Sequence, residues 1–359
     1  MSPVSALEQL VQLERGVQGP LYGHDVVLHY GDWAAEYAAL KRRAGLVWLG
    51  PSAQIEITGR DRAALVHRLC TNIIVGLRPG EGREAFLPDP KGRVVAHVAI
   101  FAGPRSLVLR TAPGEAAKIV AHLEHYVIRD DVRLYDRSAE WSELLLSGQD
   151  AADLLAGCTT AELPRDLLAH HEVELAGRPV SLRRAPFELL PAFWLSLPSD
   201  AAAEVWQLLR QAGAVACGRQ SLDALRIESG WPIDGQDIGP INLPQEVGRS
   251  AQAISFTKGC YLGQETVARI DSQGHVNRRL VGLRFDAGEL PAVGDPFSAA
   301  GQRVGQITSV ALAPDYGAAV ALGYVQRGFE LPGTRLEGLR GAATVVELPM
   351  KPGAISGPQ

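Results

Sequence analysis

The residues best equipped for chemistry lie in one short stretch, Ser255-Phe256-Thr257-Lys258-Gly259-Cys260-Tyr261-Leu262-Gly263-Gln264-Glu265. It combines a cation, two glycines, a thiol, a phenol, an amide and a carboxylate, a mixture foreign to a core segment. Gly259 lets the backbone turn or approach a ligand closely. Lys258 beside Cys260 favours the thiolate, so Cys260 reads as a presented, activated thiol with Lys258 as its partner. A cysteine taken at random is more often a small buried hydrophobe. That reading holds for Cys70, Cys158 and Cys217, which sit on or beside apolar elements; the polar, Gly-rich neighbours reverse it for Cys260 alone.

A second candidate is Glu228. Residues 221–232, Ser-Leu-Asp-Ala-Leu-Arg-Ile-Glu-Ser-Gly-Trp-Pro, predict a short helix capped by Ser221 and stopped by Gly230 and Pro232. Glu228 then falls in the last turn, against the negative end of the helix dipole, which costs a few tenths of a kcal/mol. A ligand with a two-donor edge gives a reason for it. The 2-amino group and adjacent ring N–H of a pterin offer such an edge, which a carboxylate accepts in bidentate fashion. A surface glutamate paired with Arg226 or with water has an equal claim. The histidines form no cluster: His67, His122 and His125 lie on helical patterns and His170-His171 in a polar turn, all read as surface. His97, inside an apolar strand, reads as a hydrogen-bonded core residue.

The elements that must carry these residues are legible as periodicity. Residues 54–58 alternate as a half-buried strand, and Gly59-Arg60-Asp61 opens a helix capped by Asp61. Extended runs at 84–87, 93–101 and 106–111 follow as a meander with turns at Pro90-Lys91-Gly92 and Gly103-Pro104. A helix begins after Pro113-Gly114-Glu115, and 132–135 returns as a strand. The order then recurs: strand 143–147, Gly148-Gln149-Asp150, a helix, strands 173–175, 179–183 and 193–197, and a helix after Ser199-Asp200. From Arg278 onward only short alternating segments remain, which predict a β-barrel or sandwich. The expected fold class is α+β: two pseudo-repeated antiparallel units, 25–140 and 141–277, around a central ligand cleft, plus a C-terminal all-β barrel, 278–351.

The whole chain, 359 residues with 46% hydrophobic and 21% charged residues, suits a globular protein of more than one domain. Its net charge of −5 gives no electrostatic pull towards nucleic acid or an anionic membrane. Met1-Ser2-Pro3-Val4-Ser5 lacks the basic start of a leader, the longest apolar run is broken by His97, and disorder is expected only at the ends, such as 352–359. Four dispersed cysteines without C-x-x-C spacing point to a reducing cytoplasm and argue against a self-contained metal or iron–sulfur site.

With Thr71-Asn72 and Asp89-Pro90-Lys91-Gly92-Arg93 upstream, the segments around Glu228 and Cys260 resemble the folate-binding superfamily of the glycine-cleavage T-protein (aminomethyltransferase). Within it, Lys258-Gly259-Cys260-Tyr261-Leu262-Gly263-Gln264-Glu265 matches the signature of the YgfZ branch. The likeness runs from about Ala44 to Val345-Val346-Glu347-Leu348-Pro349. That signature is highly specific, whereas Thr71-Asn72 is weak. The resemblance implies a central tetrahydrofolate site, with Glu228 as the pterin-binding glutamate of an Arg-x-Glu-x-Gly pattern and Asn72, Lys91, Arg226, Tyr261, Gln264 and Glu265 completing the folate contacts. It implies Cys260, with Lys258, as the functional group, and partners that are client iron–sulfur proteins or their assembly factors. Where aminomethyltransferases carry Gly-Gly-x-x-Asp-Asp, this chain has Gly92-Arg93-Val94-Val95-Ala96-His97; both acids are replaced, by Ala96 and His97. General acid–base help is worth about 10²- to 10⁴-fold, so the resemblance implies weakened transferase chemistry. The expected function is therefore a folate-binding accessory factor for iron–sulfur protein maturation or repair. The alternatives are a folate-dependent aminomethyltransferase or demethylase, and a folate-binding regulator without chemistry.

Overall fold

The computed structural model describes residues 6–21, 24–50, 52–286 and 289–351; the expectations for 1–5 and 352–359 lie outside the described residues. The chain divides into two compact units. The first gathers the described residues within 1–69, 73–85 and 98–222, and the second those within 70–72, 86–97 and 223–359.

The first unit contains a six-stranded sheet in the order His170–Leu175, Arg178–Arg184, Ala192–Pro198, Trp141–Ser147, Gly45–Gly50, Val215–Ala216. Its neighbours pair antiparallel except at the last step, where Val215–Ala216 runs parallel to Gly45–Gly50. Leu144, Leu145 and Leu146 are each fully buried, as a continuous apolar run in a covered strand should be. Leu144 and Leu146 share a core with Leu155 of the helix Ala151–Cys158 and with Val205 and Trp206 of the helix Ala202–Gln211.

A five-stranded sheet follows the same plan, in the order Gly82–Pro88, Val94–Ala102, Ser106–Thr111, Ala53–Thr58, Arg133–Asp136. In each sheet a strand leads through a glycine to a short helix, three meander strands follow, and the last of these pairs antiparallel with the first strand. The repeated corner is steric. Gly59 and Gly148 have φ of +101° and +128°, and a Cβ on them would lie 2.0 Å from the Asp131 carbonyl oxygen or 2.1 Å from that of Arg43. Neither position accepts a side chain. The echo of Gly59-Arg60-Asp61 in Gly148-Gln149-Asp150 is thus a repeat of structure.

Three local expectations change. Asp61 does not cap Arg62–Leu69 with its side chain; its Oδ2 accepts from the Asp131 N–H, while its carbonyl receives the Leu65 N–H. His170 is not in a surface turn but in a strand, 7% exposed, edge-on to the Phe101 ring. The helix expected from Ser221 spans Arg219–Glu228 and begins two residues earlier, so Ser221 is internal and its hydroxyl donates back to the Gly218 carbonyl.

The second unit contains a closed barrel in the order Arg278–Phe285, Ala318–Gln326, Gln302–Ala313, Pro296–Ala299, Arg335–Gly338, Gly341–Val346. Leu283, Phe297, Ala321, Val325 and Leu336 fill its interior. A second cluster joins Leu322 and Tyr324 of the barrel to Phe86, Val94, Ile227, Val267 and Tyr261. The fold is α+β with a C-terminal six-stranded antiparallel barrel. The proposed domain limits of 25–140, 141–277 and 278–351 are a division by chain order, whereas Gly45–Gly50 pairs with Trp141–Ser147.

Candidate functional site

All the segments singled out in the sequence have their site residues in the second unit. The helix Arg219–Glu228 ends in a Schellman closure: the Gly230 N–H reaches the Ile227 carbonyl and the Trp231 N–H the Arg226 carbonyl. That closure turns the chain sharply and leaves Glu228, 4% exposed, beside the start of the loop that carries Trp231. The Met350 N–H caps the Glu228 carbonyl at 2.7 Å. Arg226 points elsewhere. Its Nε donates to Asp223 at 2.9 Å, its Nη1 to Asp237 at 2.9 Å and its Nη2 to the Ser309 hydroxyl at 2.8 Å. Asp237 also accepts from the Thr308 and Ser309 hydroxyls. Arg226 therefore fastens the end of the Glu228 helix to the barrel strand Gln302–Ala313.

Next to this helix end lies an aromatic layer. The His97 ring sits between Phe86 and Trp231, with centroids 5.0 and 4.9 Å away. The Arg249 guanidinium covers Trp231 at 5.3 Å. The His97 backbone N–H donates to Asp234 Oδ2 at 2.8 Å, and both residues are buried. The Tyr316 phenol is held well above its ordinary pKa, first by burial and then by the Glu228 and Asp315 carboxylates. Trp231, Asp234, Arg249 and Tyr316 escaped the sequence reading. Trp231 alone had a local signal, as the residue that completes a Gly-terminated helix; the others arrive by tertiary folding. A buried carboxylate with aromatic rings in the segments around it is suited to a planar ring with a donor edge.

The 258–265 segment is bound to both upstream motifs. Lys258 is 8% exposed, and its ammonium donates to the carbonyls of Cys70 and Asn72 at 2.7 Å each. Burial lowers its pKa, and the Cys70 thiol acts in the opposite sense. Cys70 itself is raised by burial, partly offset by Lys258. Asn72 is half-buried, and its side chain donates to the Gln252 carbonyl at 2.8 Å. Tyr261 packs its ring 4.9 Å from the Lys258 ammonium, and burial pushes its phenol up to about 12. Gly263 has φ +74°; a Cβ there would lie 2.5 Å from the Asp89 carbonyl oxygen, so only glycine allows the 89–92 turn to close on the start of the helix Gln264–Gln273. Gln264 is half-buried at that start. Glu265, in the first turn, and Lys91, in the turn, are exposed. Cys260 is exposed as well. The farther part of the loop after Trp231, with Arg278, Arg303 and Tyr324, lines an open groove of about 560 Å³, and none of the expected site residues lines it.

Family comparisons agree with this layout. The family model of the GCVT N-terminal domain matches residues 7–258, and that of the glycine cleavage T-protein C-terminal barrel domain matches 278–351. An aminomethyltransferase of Saccharopolyspora erythraea is 30% identical over 91% of this chain and 91% of its own. One from Streptomyces avermitilis is 28% identical over 87% and 86%. The crystal structure of glycine cleavage system aminomethyltransferase T from Bartonella henselae superposes with a TM-score of 0.85 over 96% of each chain at 21% identity, a likeness of fold.

These findings overturn the expectation of an iron–sulfur accessory factor with client iron–sulfur partners. The relatives carry the aminomethyltransferase name, and the described residues present no group of three or more His, Cys, Asp or Glu placed to hold a metal. The YgfZ label and the reactive-cysteine reading of Cys260 fall with it. The physical fault lay in adjacency: Lys258 precedes Cys260 by two residues, but its ammonium is spent on the Cys70 and Asn72 carbonyls, and the thiol that feels its charge is Cys70. Among the described residues no helix is long and apolar enough to cross a membrane.

Proposed function

The chain belongs to the glycine cleavage T-protein family, and from that premise we propose that it binds a reduced folate and moves a one-carbon unit to it from an aminomethyl donor. The observation that carries the reading is Glu228: a buried carboxylate at a closed helix end, three residues before Trp231, whose ring packs against His97. Its two oxygens accept the 2-amino and ring N–H groups of the pterin while the aromatic layer takes the ring face. Tetrahydrofolate fits as the acceptor form, because its reacting nitrogens carry the protons that methylene transfer displaces. Arg226 holds the helix end in place through Asp237. Asn72, Lys91, Tyr261, Gln264 and Glu265 form the rest of the proposed folate-binding set, with Lys258 ordering the backbone at 70–72. Four free thiols suit a cytoplasmic setting.

Calorimetric titration with tetrahydrofolate tests the assignment. Glu228→Gln keeps the shape and removes the charge from two hydrogen bonds, each worth about 1.5–3 kcal/mol when charge-assisted, so affinity should fall at least ~10- to 150-fold. Unchanged affinity in a folded Glu228→Gln protein would sink the assignment, as would failure of the wild type to bind any reduced folate.

A further inference from the structure

The open groove of about 560 Å³ is built from groups other than those of the Glu228 site, and all of its lining belongs to the second unit. Its floor is the outward face of three barrel strands. Register sets Arg278 opposite Gln326 and Gln306 opposite Tyr324, and Tyr324 and Gln326, two residues apart on one strand, stand on the same side, while Val325 between them fills the barrel interior. The loop 236–242 forms the wall.

Two guanidinium groups meet this surface with most of their donors unspent. Arg278 gives its Nε to Glu246 at 3.1 Å and lies 4.9 Å from the Tyr324 ring; among the described residues neither of its Nη groups has a hydrogen-bond acceptor. Arg303 has no carboxylate partner among the described residues, and its Nη2 donates to the Gln306 side-chain oxygen at 3.0 Å. The one carboxylate of the lining, Asp237, is buried, its oxygens engaged by Arg226, the Ile233 N–H and the hydroxyls of Thr308 and Ser309. In a chain of net charge −5 this groove is locally cationic. It also holds an acceptor. The Gln236 amide nitrogen donates to the Thr308 carbonyl at 3.1 Å and the Ser309 hydroxyl at 2.8 Å, which fixes the orientation of the amide and leaves its oxygen buried without a partner. A buried acceptor left so costs about 1–3 kcal/mol. Pro240 and Ile241 add an exposed apolar edge.

We propose that this groove is a second ligand site, separate from the Glu228 site, for a small carboxylate that carries an N–H donor and an apolar body, of the N-acyl amino acid class. The carboxylate meets the unspent forks of Arg278 and Arg303, whose planar geometry matches it. The N–H goes to the Gln236 oxygen, and the acyl body lies along Pro240 and Ile241. A volume of about 560 Å³ holds a ligand of metabolite size, whereas a bare inorganic anion would occupy a small part of it and leave the Gln236 oxygen unmet.

The test is calorimetric titration of the full chain at low salt with hippurate, which joins a phenyl ring, an amide N–H and a carboxylate, and with N-methylbenzamide, which lacks the carboxylate. Hippurate should bind with a Kd below about 1 mM and N-methylbenzamide at least about tenfold more weakly. Arg303→Gln removes a cation that no carboxylate depends on and should weaken hippurate about tenfold or more. Ile241→Glu sets a like charge at a position 64% exposed, where folding is not at stake, and should weaken it as well. Neither variant should move the tetrahydrofolate Kd by more than about threefold, and neither saturating tetrahydrofolate nor inorganic phosphate should displace hippurate. A hippurate Kd above about 1 mM, equal binding of N-methylbenzamide, or undiminished binding in both folded variants overturns the proposal. Displacement by tetrahydrofolate also overturns it, since the groove would then be part of the folate site, and displacement by phosphate reduces it to a general anion site and overturns the assigned class.

Discussion

Arg183 and Arg226 are both 3% exposed, yet the two units bury them in opposite ways. In the first unit Arg183 donates to the neutral oxygens of Gln54 at 3.1 Å and Ser181 at 3.4 Å, and its guanidinium lies 4.4 Å over the Phe101 ring. Burial pulls it down to about 10; Glu143 and Glu172 act only from a distance, and Glu143 makes its direct bonds to Arg110. In the second unit Arg226 contacts two carboxylates, and one of them, Asp237, accepts from two barrel hydroxyls through its other oxygen. The first arrangement is a cation tolerated by dipoles and an aromatic face. The second is a cross-link in which each charge depends on the other, and it lies where the helix bearing Glu228 must be held. Buried charge is thus used for placement at the site and merely accommodated in the core.

Removing one side of the cross-link should have the largest effect. Asp237→Leu takes from the Arg226 cation one of its two carboxylates and from two hydroxyls their acceptor, and a loss of about 3–5 kcal/mol is expected in urea unfolding. Adding Arg226→Leu should recover most of it; a loss of less than about 1 kcal/mol in the single variant would show that the two buried arginines do not differ.

The next effect belongs to His170, which is lowered to about 4 by burial, then by Arg183 and His171. The folded state refuses a proton that the unfolded chain accepts near pH 6.5. Stability contributed by the neutral imidazole is therefore present above that pH and is lost as pH falls from about 6.5 to 4, by about 3 kcal/mol in total. Unfolding free energies at pH 7.5 and 4.5 should differ less in His170→Leu than in wild type by nearly that amount. The same slope in both proteins would refute the assignment.

The smallest change is expected for Arg183→Met. It trades an uncompensated buried cation for an apolar chain of similar length and should stay within about 1 kcal/mol of wild type. Because Arg183 helps to keep His170 neutral, this variant should also raise the imidazole pKa, readable by NMR titration. A loss comparable with that of Asp237→Leu would mean that Arg183 is a structural cross-link too.

Much of the frame was readable before folding. The meander strands emerged from two-residue alternation, and the repeat from the paired Gly59 and Gly148 corners, because both signals are local and steric. Glu228 was legible for a related reason: a carboxylate in the last turn of a Gly-terminated helix violates the dipole preference, and such a violation calls for an external partner. Lys258 was misread because an ammonium on a long flexible stem goes to the acceptors that folding brings, here carbonyls nearly two hundred residues upstream, and not to the nearest thiol in the chain. The strand Gly45–Gly50 and its place beside Trp141–Ser147 left no mark that short apolar periodicity could distinguish.

By itself the sequence determined the class of the elements, the internal repeat, the terminal barrel and the carboxylate at the helix end, since each follows from side-chain period, glycine sterics or capping within a few residues. Only the tertiary structure decided that Arg226 is a fastening group, that Lys258 orders the 70–72 backbone, and that Asp234 stands against His97. Those depend on contacts between segments far apart in the chain, where the cost of burying a charge is settled by whichever partner the fold delivers.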